Sequence, residues 1–167
     1  MQDDKDDGVK YLIEQGRVDK NKVAFFGWSY GGYSAMLAAA RTPNLYQCSI
    51  AGAAVADNSL QLGYYRDRLD SDNADDIEQI KFWTESLDPI KEVDKVNIPM
   101  LIIHGTIDQR VPIRHAKKYV DKLEDKNKPF KYIKLKDADH FSNTLFYKHK
   151  MEFYPAMLEF LKNDCGM

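Results

Sequence analysis

The sequence contains no uninterrupted run of 18 apolar residues, so it predicts no helix that could span a bilayer. Residues 1–7 are mainly acidic and include no apolar core of the kind found in signal peptides. We therefore expect no membrane partner, and on these absences alone a cytoplasmic location is favoured.

The spacings that hold metals and nucleotides are also lacking. No CxxC or HExxH motif occurs, and no Walker or Rossmann glycine pattern is present, so neither a metal ion nor a cofactor is predicted. The net charge of −2 gives no basic surface for phosphates, and nucleic acid is not an expected partner.

Cysteine is scarce. Cys48 lies in an apolar, strand-like stretch and Cys165 lies near the C-terminus. Two cysteines do not make the disulfide framework of a small secreted protein, so we expect two free thiols. Free thiols would favour a reducing compartment.

What remains is the composition of a soluble globular protein, with 44% hydrophobic and 30% charged residues. A length of 167 residues is enough for one domain, residues 1–167, with its own core. The hydrophobic patterns predict strands at 22–26, 47–55, 100–105 and 130–135, and helices at 3–15, 34–41, 77–83, 116–123 and about 143–162.

Strands that alternate with helices predict an α/β fold with a parallel sheet of about four strands, flanked by helices. The acidic stretch 57–76 breaks the pattern and is predicted as a surface excursion. The second helix is expected to stop near Pro43. Pro155 predicts a kink or a new start within the last helix.

The segment Gly27–Tyr33 carries the strongest motif. It matches G-x-S-x-G with Ser29 at its centre, between a predicted strand and a predicted helix, which is the context of a nucleophile elbow. In such a turn, small residues two before and two after the serine avoid clashes. The motif predicts that Ser29 is a nucleophile at a helix N-terminus, where the helix dipole favours developing negative charge.

A nucleophilic serine needs a base and an acid that orients the base. Loops at the carboxyl ends of parallel strands gather at one edge of the sheet. Asp108 follows the third strand and His140 follows the fourth, in the Ser-Asp-His order of α/β-hydrolases. Asp137 and Asp139 lie too close to His140 along the chain to orient it, and Asp139 is expected to set its own loop through Asx-type hydrogen bonds.

The other histidines are weaker candidates for the base. His104 lies within a strand end and is expected to be structural, while His115 and His149 belong to predicted helices. The backbone N–H of Tyr30 is the expected first oxyanion donor. The second donor should come from an earlier loop, but only 28 residues precede Ser29, so the fold is predicted as a partial α/β-hydrolase without its early strands.

Together, Gly27–Tyr33, His104–Asp108 with Val111-Pro112, and Asp139-His140 resemble the catalytic domain of the prolyl oligopeptidase family of serine peptidases. Within that family the chain looks most like the dipeptidyl-peptidase and acylaminoacyl-peptidase branches. The resemblance implies Ser29 as nucleophile, Asp108 as orienting acid, His140 as base, and short peptides as substrates.

The resemblance also implies an apolar pocket for the residue before the scissile bond, lined by Tyr33, Tyr64, Tyr65 and Val111. For Tyr64 and Tyr65, ordinary packing is an equal alternative. Arg110 stands where dipeptidyl peptidases often have an asparagine that faces the substrate backbone. Family members also carry a β-propeller, early strands and an upstream oxyanion tyrosine, none of which this chain is expected to contain.

Three functions follow from the sequence. The first is a serine peptidase that works through an acyl-enzyme, and the second is an esterase with the same triad, because the fold cannot separate the two. The third is an impaired or inert fragment. Because strand 22–26 would lie at an uncovered, apolar sheet edge, we also expect a homo-oligomer, by edge pairing or by exchange of a terminal helix.

Overall fold

In the computed structural model, which describes residues 2–42, 44–141 and 144–167, four strands form one parallel sheet. The strands lie side by side in chain order, which confirms the predicted α/β class. They are β1 (Ala24–Trp28), β2 (Cys48–Gly52), β3 (Met100–Gly105) and β4 (Phe130–Leu135).

Six α-helices connect and flank these strands in the described part of the chain: α1 (Gln2–Glu14), α2 (Tyr30–Arg41), α3 (Asn58–Tyr65), α4 (Ala74–Glu85), α5 (Arg114–Asp125) and α6 (Tyr147–Asn163). Short 3₁₀ turns occupy 66–68, 89–91 and 93–95. Helix α6 runs through Pro155 as one element rather than starting afresh there. The predicted stop at Pro43 and the helix start near residue 143 lie outside the described residues.

Helix α3 is a correction, because it lies in the stretch predicted as a surface excursion. Its start is fixed by two carboxylates. Asp57 accepts from the backbone N–H of Leu60 over 2.8 Å, and Asp88 accepts from the backbone N–H of Asn58 over 3.2 Å. Asp57 is the local N-cap that the sequence prediction did not use, whereas Asp88 lies 30 residues further along the chain.

The core has two halves, one on each face of the sheet. In β3, Met100 and Ile102 face the half shared with α2 and α5, while Leu101 and Ile103 face the half shared with α6. Burial on both faces explains why the sequence of β3 is continuously apolar.

Cys48 and Cys165 form a disulfide that ties the start of β2 to the tail after α6. The expectation of two free thiols was therefore wrong, and it supports no reducing compartment. The physical reason is that α6 packs along the sheet and delivers the buried Cys165 to the same core half as Cys48.

Strand β1 pairs only with β2 among the described strands, which makes it an edge of the sheet. The side chain of Phe26 is 51% exposed there. Within the residues that the structure describes, no helix has the length and apolarity needed to cross a membrane.

Candidate active site

Ser29 occupies a strained turn between β1 and α2. Its φ angle is 57°, in the left-handed region that residues with a side chain seldom adopt. The turn is held from both sides: the backbone N–H of Ser29 donates to the Gly52 carbonyl over 2.8 Å, and its carbonyl accepts from Tyr33 over 3.0 Å. The serine is thus fixed at the tip of the turn.

Two glycines make this turn possible through their lack of a side chain. A Cβ atom on Gly27 would collide with the backbone of Gly31, and one on Gly32 would lie 2.5 Å from the Gly52 carbonyl oxygen. A Cβ atom on Gly31 would meet open space. The expectation that small residues are needed two before and two after Ser29 therefore holds for Gly27 but not for Gly31, and the crowded position after the serine is Gly32.

Three polar side chains form a continuous chain of hydrogen bonds. The Oγ atom of Ser29 lies 2.7 Å from Nε2 of His140, and Nδ1 of His140 lies 2.8 Å from Oδ2 of Asp108. An ionised carboxylate can only accept, so Nδ1 carries the proton and Nε2 is left to accept from the serine hydroxyl. The structure thus brings together the three residues predicted from the strand ends.

The Asp108 carboxylate is buried and fully surrounded by donors. Its Oδ1 atom accepts from the backbone N–H groups of Arg110 (2.9 Å) and Val111 (2.8 Å). Burial by itself raises the pKa of Asp108, but hydrogen bonds from His104, His140 and Val111 outweigh it and hold that pKa well below its ordinary value. The carboxylate therefore stays charged beside His140.

The side chain of His104 lies beside the same carboxylate. Its Nε2 atom lies 2.7 Å from the Val111 carbonyl oxygen and 3.4 Å from Oδ2 of Asp108, and its ring is buried. The Val111 carbonyl can only accept, so Nε2 carries a proton and donates it to that oxygen, while the Asp108 carboxylate lies close to the same N–H. The sequence predicted a structural role for His104, and the structure places its ring beside the carboxylate of Asp108.

The remaining two histidines lie away from Ser29. Nδ1 of His115 accepts from the backbone N–H groups of Ala56 (3.3 Å) and Asp57 (3.4 Å). His149 donates through Nε2 to the Lys136 carbonyl over 2.7 Å. Neither histidine contacts Ser29 or Asp108 through a hydrogen bond of the described structure.

The loop that carries His140 is held in shape by the carboxylate of Asp139, as predicted. Oδ1 of Asp139 accepts from the Phe141 N–H (3.2 Å) and from the Thr144 hydroxyl (2.7 Å). Gly105 lets this loop approach the end of β3, because a Cβ atom there would collide with the Ala138 carbonyl.

A cavity of about 230 Å³ opens beside Ser29 and His140. Among the predicted substrate-binding residues, Tyr65, Arg110 and Val111 line it, together with Tyr30. Tyr33 and Tyr64 do not. Tyr33 is buried, donates to the Leu87 carbonyl over 2.7 Å and packs against Trp83, and the pKa of its hydroxyl is raised to about 12 by burial.

Tyr64 lies on a neighbouring hollow, where its hydroxyl donates to the Gln109 carbonyl over 3.0 Å. The rings of Tyr64 and Tyr65 remain in edge-to-face contact, with centroids 5.2 Å apart, but only Tyr65 lines the cavity beside Ser29. Tyr65 instead donates to the Arg110 carbonyl over 2.9 Å, and this bond joins α3 to the loop that holds Asp108.

Sequence reasoning missed four residues that line the cavity: Val55, Gln61, Gln79 and Trp83. Val55 is the last residue of the second predicted strand, which is a signal that the strand-end rule could have used. The others lie on α3 and α4, whose positions depend on tertiary contacts. Because Gln61 and Gln79 are polar, the cavity is less apolar than expected.

Tyr30 is the first residue of α2. Backbone N–H groups in the first turn of a helix have no acceptor within that helix. The Tyr30 N–H therefore belongs to a set of donors that lies next to the Ser29 hydroxyl and carries the positive end of the helix dipole.

Comparison with solved structures supports the fold. The acylaminoacyl peptidase of Pyrococcus horikoshii aligns with a TM-score of 0.79 over 94% of this chain and 26% of that chain, at 22% identity. The four parallel strands and their helices thus correspond to part of an α/β-hydrolase fold.

Comparison with curated proteins reaches higher identity. The chain is 30% identical to prolyl endopeptidase FAP of Bos taurus over 154 residues, which is 92% of this chain and 20% of that protein. It is also 30% identical to dipeptidyl peptidase family member 6 of Caenorhabditis elegans over 143 residues, or 80% of this chain and 19% of the relative. The chain therefore spans about a fifth of the length of these relatives.

The model of the prolyl oligopeptidase family matches residues 2–167, which is nearly the whole sequence. The match covers the elbow around Ser29 as well as the loops of Asp108 and His140. Because the match spans nearly the whole chain, this chain belongs to the prolyl oligopeptidase family of serine peptidases.

Proposed function

We propose that this chain carries the catalytic residues of a serine peptidase that cleaves short peptides, with Ser29 as nucleophile, His140 as base and Asp108 as orienting acid. The observation that carries the proposal is the unbroken hydrogen-bond chain from Ser29 Oγ through both ring nitrogens of His140 to Asp108. Membership of a serine peptidase family supports the reaction class.

In the proposed first half-reaction, Ser29 Oγ attacks the peptide carbonyl carbon while its proton passes to Nε2 of His140. The carbonyl oxygen becomes an oxyanion, which the N–H of Tyr30 stabilises at the start of α2. When the intermediate collapses, the C–N bond breaks and the leaving amine takes the proton from His140. Ser29 is then an ester of the acyl part of the peptide.

In the second half-reaction, a water gives its proton to Nε2 of His140 and attacks the ester carbonyl. Collapse returns the proton to Ser29 Oγ and releases the carboxylic acid. In both halves Asp108 keeps Nδ1 protonated and stabilises the imidazolium, because its low pKa keeps it charged.

An esterase would use the same groups, because ester and peptide bonds pass through the same acyl-enzyme. We favour peptides because every relative reported above is named as a peptidase. Tyr30 supplies one oxyanion donor, and a second donor is worth about 10²–10³ in rate. We therefore propose that the 167-residue chain by itself reacts at Ser29 but turns peptides over slowly.

A fluorophosphonate probe tests this proposal because it reacts much faster with an activated serine than with an ordinary one. We expect it to label the chain, and Ser29→Ala and His140→Ala to abolish labelling. Ser59→Ala, which changes an exposed serine on α3, is the matched control and should label like the natural chain. Labelling that survives Ser29→Ala, or no labelling of the natural chain, would show that the proposed nucleophile is wrong.

Peptide and ester reporters then separate the two hydrolases. Hydrolysis of dipeptidyl or acylaminoacyl anilides that depends on Ser29 supports a peptidase. Activity confined to simple esters would replace this proposal with the esterase.

We further propose that this 167-residue chain, on its own, self-associates through the edge of β1. Strand β1 offers a row of backbone groups on the side away from β2, with the apolar ring of Phe26 exposed beside them. Edges of this kind pair readily with another chain. Light scattering at micromolar concentration should give a dimer or larger mass, and a monomer mass would contradict the proposal.

A further inference from the structure

Trp83 is the largest residue in the wall of the cavity beside Ser29. It belongs to α4, and Gln79, one helical turn earlier, lines the same cavity. Residues four apart lie on one face of a helix, so α4 turns the face of Gln79 and Trp83 towards the cavity. A helix meets its surroundings through its side chains, and the wall at this position is therefore the indole ring.

The indole of Trp83 is only partly buried, so part of its surface remains available to a ligand. Its covered part packs against a small apolar cluster, which consists of Tyr33, Leu37, Val55 and Val111. Val55 and Val111 themselves line the cavity. The ring thus packs against other cavity walls and does not turn away from them.

Neighbouring rings fix the orientation of the indole. It meets the ring of Tyr33 edge to face, with centroids 5.6 Å apart and planes at 90°, and that of Phe82 at 4.8 Å and 79°. The end of α4 is tied down as well, because the Leu87 carbonyl accepts from the Tyr33 hydroxyl over 2.7 Å and from the Asn58 amide over 3.2 Å. A wall held in this way is preformed, so a substrate side chain does not have to order it.

A second ring stands at a steep angle to the indole. Tyr30, the residue after Ser29, also lines the cavity, and its ring is stacked on that of Tyr33 with 26° between the planes. Since the indole is perpendicular to the same Tyr33 ring, the planes of Tyr30 and Trp83 are steeply inclined to each other. A flat ring bound in the cavity can stack on one of them and turn its edge to the other, and these are the two arrangements that aromatic pairs prefer.

The rest of the lining also suits an apolar side chain. Val55, Val111 and Tyr65 supply further apolar surface. The hydroxyl of Tyr65 and the amide of Gln61 both donate to the Arg110 carbonyl, so both groups are engaged within the protein. Gln61 is in addition only 8% exposed. The volume of about 230 Å³ leaves room for a benzyl side chain.

We propose that Trp83 makes this cavity selective for an aromatic side chain on the residue whose carbonyl Ser29 attacks. This proposal rests on the proposed function, because it takes the cavity as the binding site for the residue before the scissile bond. The substrate ring packs on the exposed surface of the indole, and Tyr30 forms the adjacent wall.

The first test uses three dipeptidyl coumarin substrates that differ only in the residue before the coumarin: phenylalanine, cyclohexylalanine or alanine. Cyclohexylalanine nearly matches phenylalanine in size and apolarity but has no aromatic ring. We expect kcat/KM for phenylalanine to exceed that for cyclohexylalanine by about three- to tenfold, the usual gain from an aromatic pair, and alanine to be the poorest substrate. In Trp83→Leu, the phenylalanine-to-cyclohexylalanine ratio should fall to about one. Trp83→Phe keeps an aromatic wall and should retain part of the ratio.

Phe82→Leu is the matched control, because Phe82 precedes Trp83 on α4 and lies outside the described lining of the cavity. It removes a ring from the same part of the helix and should keep the natural ratio. A natural chain that does not prefer phenylalanine to both other residues, or a Trp83→Leu variant that keeps the natural ratio, would overturn the proposal. So would an equal loss of the ratio in Phe82→Leu, because the preference would then follow the packing of α4 and not contact with the indole.

A binding experiment separates this proposal from the proposed function, because it needs no turnover. The Ser29→Ala chain is titrated calorimetrically with tetrapeptides ending in phenylalanine or cyclohexylalanine, and we expect the phenylalanine peptide to bind at least about threefold more tightly. The Ser29→Ala, Trp83→Leu double variant should bind both peptides equally. Equal affinity in the Ser29→Ala chain, or no binding of either peptide, overturns the role of Trp83. Selective binding together with absent fluorophosphonate labelling of the natural chain would overturn the proposed function and leave the selectivity in place.

Discussion

The indole Nε1 of Trp28 donates a hydrogen bond of 2.7 Å to the backbone carbonyl of His140. Trp28 is the residue immediately before Ser29, so the elbow itself holds the loop that carries the candidate base. The Trp28 ring lies over Gly52, where a Cβ atom would collide with it, and packs near Phe153 of α6. Ser29, the His140 loop and the core half packed against α6 are therefore linked through one side chain.

Trp28→Phe should slow the reaction of Ser29 with a fluorophosphonate by about fivefold. Phenylalanine keeps an aromatic ring over Gly52 but removes the donor to His140, and one such bond is worth about 1 kcal/mol. The rate constant for labelling is measured by mass spectrometry. The thermal midpoint serves as the control, and an unaltered labelling rate in a folded variant would show that the bond does not position His140.

His104→Leu should reduce the same labelling rate and change its pH dependence. His104 is one of the groups that lower the pKa of Asp108, so its loss raises that pKa. A group with a depressed pKa loses its charge as pH falls through that pKa, so the loss of labelling should begin at a higher pH in the variant.

His104→Gln is the conservative variant, because its amide can still donate to the Val111 carbonyl. We expect this variant to restore the natural pH profile at least in part. Identical profiles for the natural chain and His104→Leu would show that His104 supports the fold without acting on Asp108.

The outline of this site could be predicted because it depends on local signals. A continuously apolar run marked β3, and the ends of the predicted strands placed Ser29, Asp108 and His140 at one edge of the sheet. These positions follow from rules that hold for every parallel sheet.

The parts that could not be predicted depend on contacts between distant residues. Helix α3 has a local N-cap in Asp57, but it is also held by Asp88 from 30 residues away, so the position of Gln61 is not visible in the local pattern. Cys48 and Cys165 are 117 residues apart, and only the packing of α6 brings them together.

Reduction of the Cys48–Cys165 disulfide should lower the free energy of unfolding by about 2–4 kcal/mol, because it releases a long loop in the unfolded chain. Urea unfolding with and without dithiothreitol measures this loss. The Cys48→Ser, Cys165→Ser double variant should match the reduced chain and be insensitive to the reductant. Ser29 labelling should change little, because the disulfide and Ser29 lie at opposite ends of the sheet. Cys48 is the first residue of β2, whereas Ser29 follows the last residue of the parallel strand β1. An unchanged urea midpoint after verified reduction would contradict this prediction.

His115 should make the stability of the chain depend on pH. Burial lowers the pKa of its imidazole from 6.5 to about 4, and its Nδ1 atom accepts two backbone N–H groups that a protonated ring could not serve. Between these two pH values the unfolded chain binds a proton that the folded chain does not. Stability from this residue is therefore complete above pH 6.5 and is lost as pH falls towards 4.

From pH 7 to pH 5, this residue alone should account for a loss of about 2 kcal/mol in the free energy of unfolding. His115→Asn removes the titrating group, and its side-chain oxygen can replace the Nδ1 acceptor. The variant should be less stable at pH 7, because the smaller side chain leaves unfilled space in the core, but its stability should fall less on acidification. Urea unfolding of both chains at pH 7 and pH 5 measures how much of its free energy of unfolding each chain loses on acidification. Parallel curves for the natural chain and His115→Asn would mean that the proton binds the folded chain as readily as the unfolded one, and that the buried ring adapts to its charge.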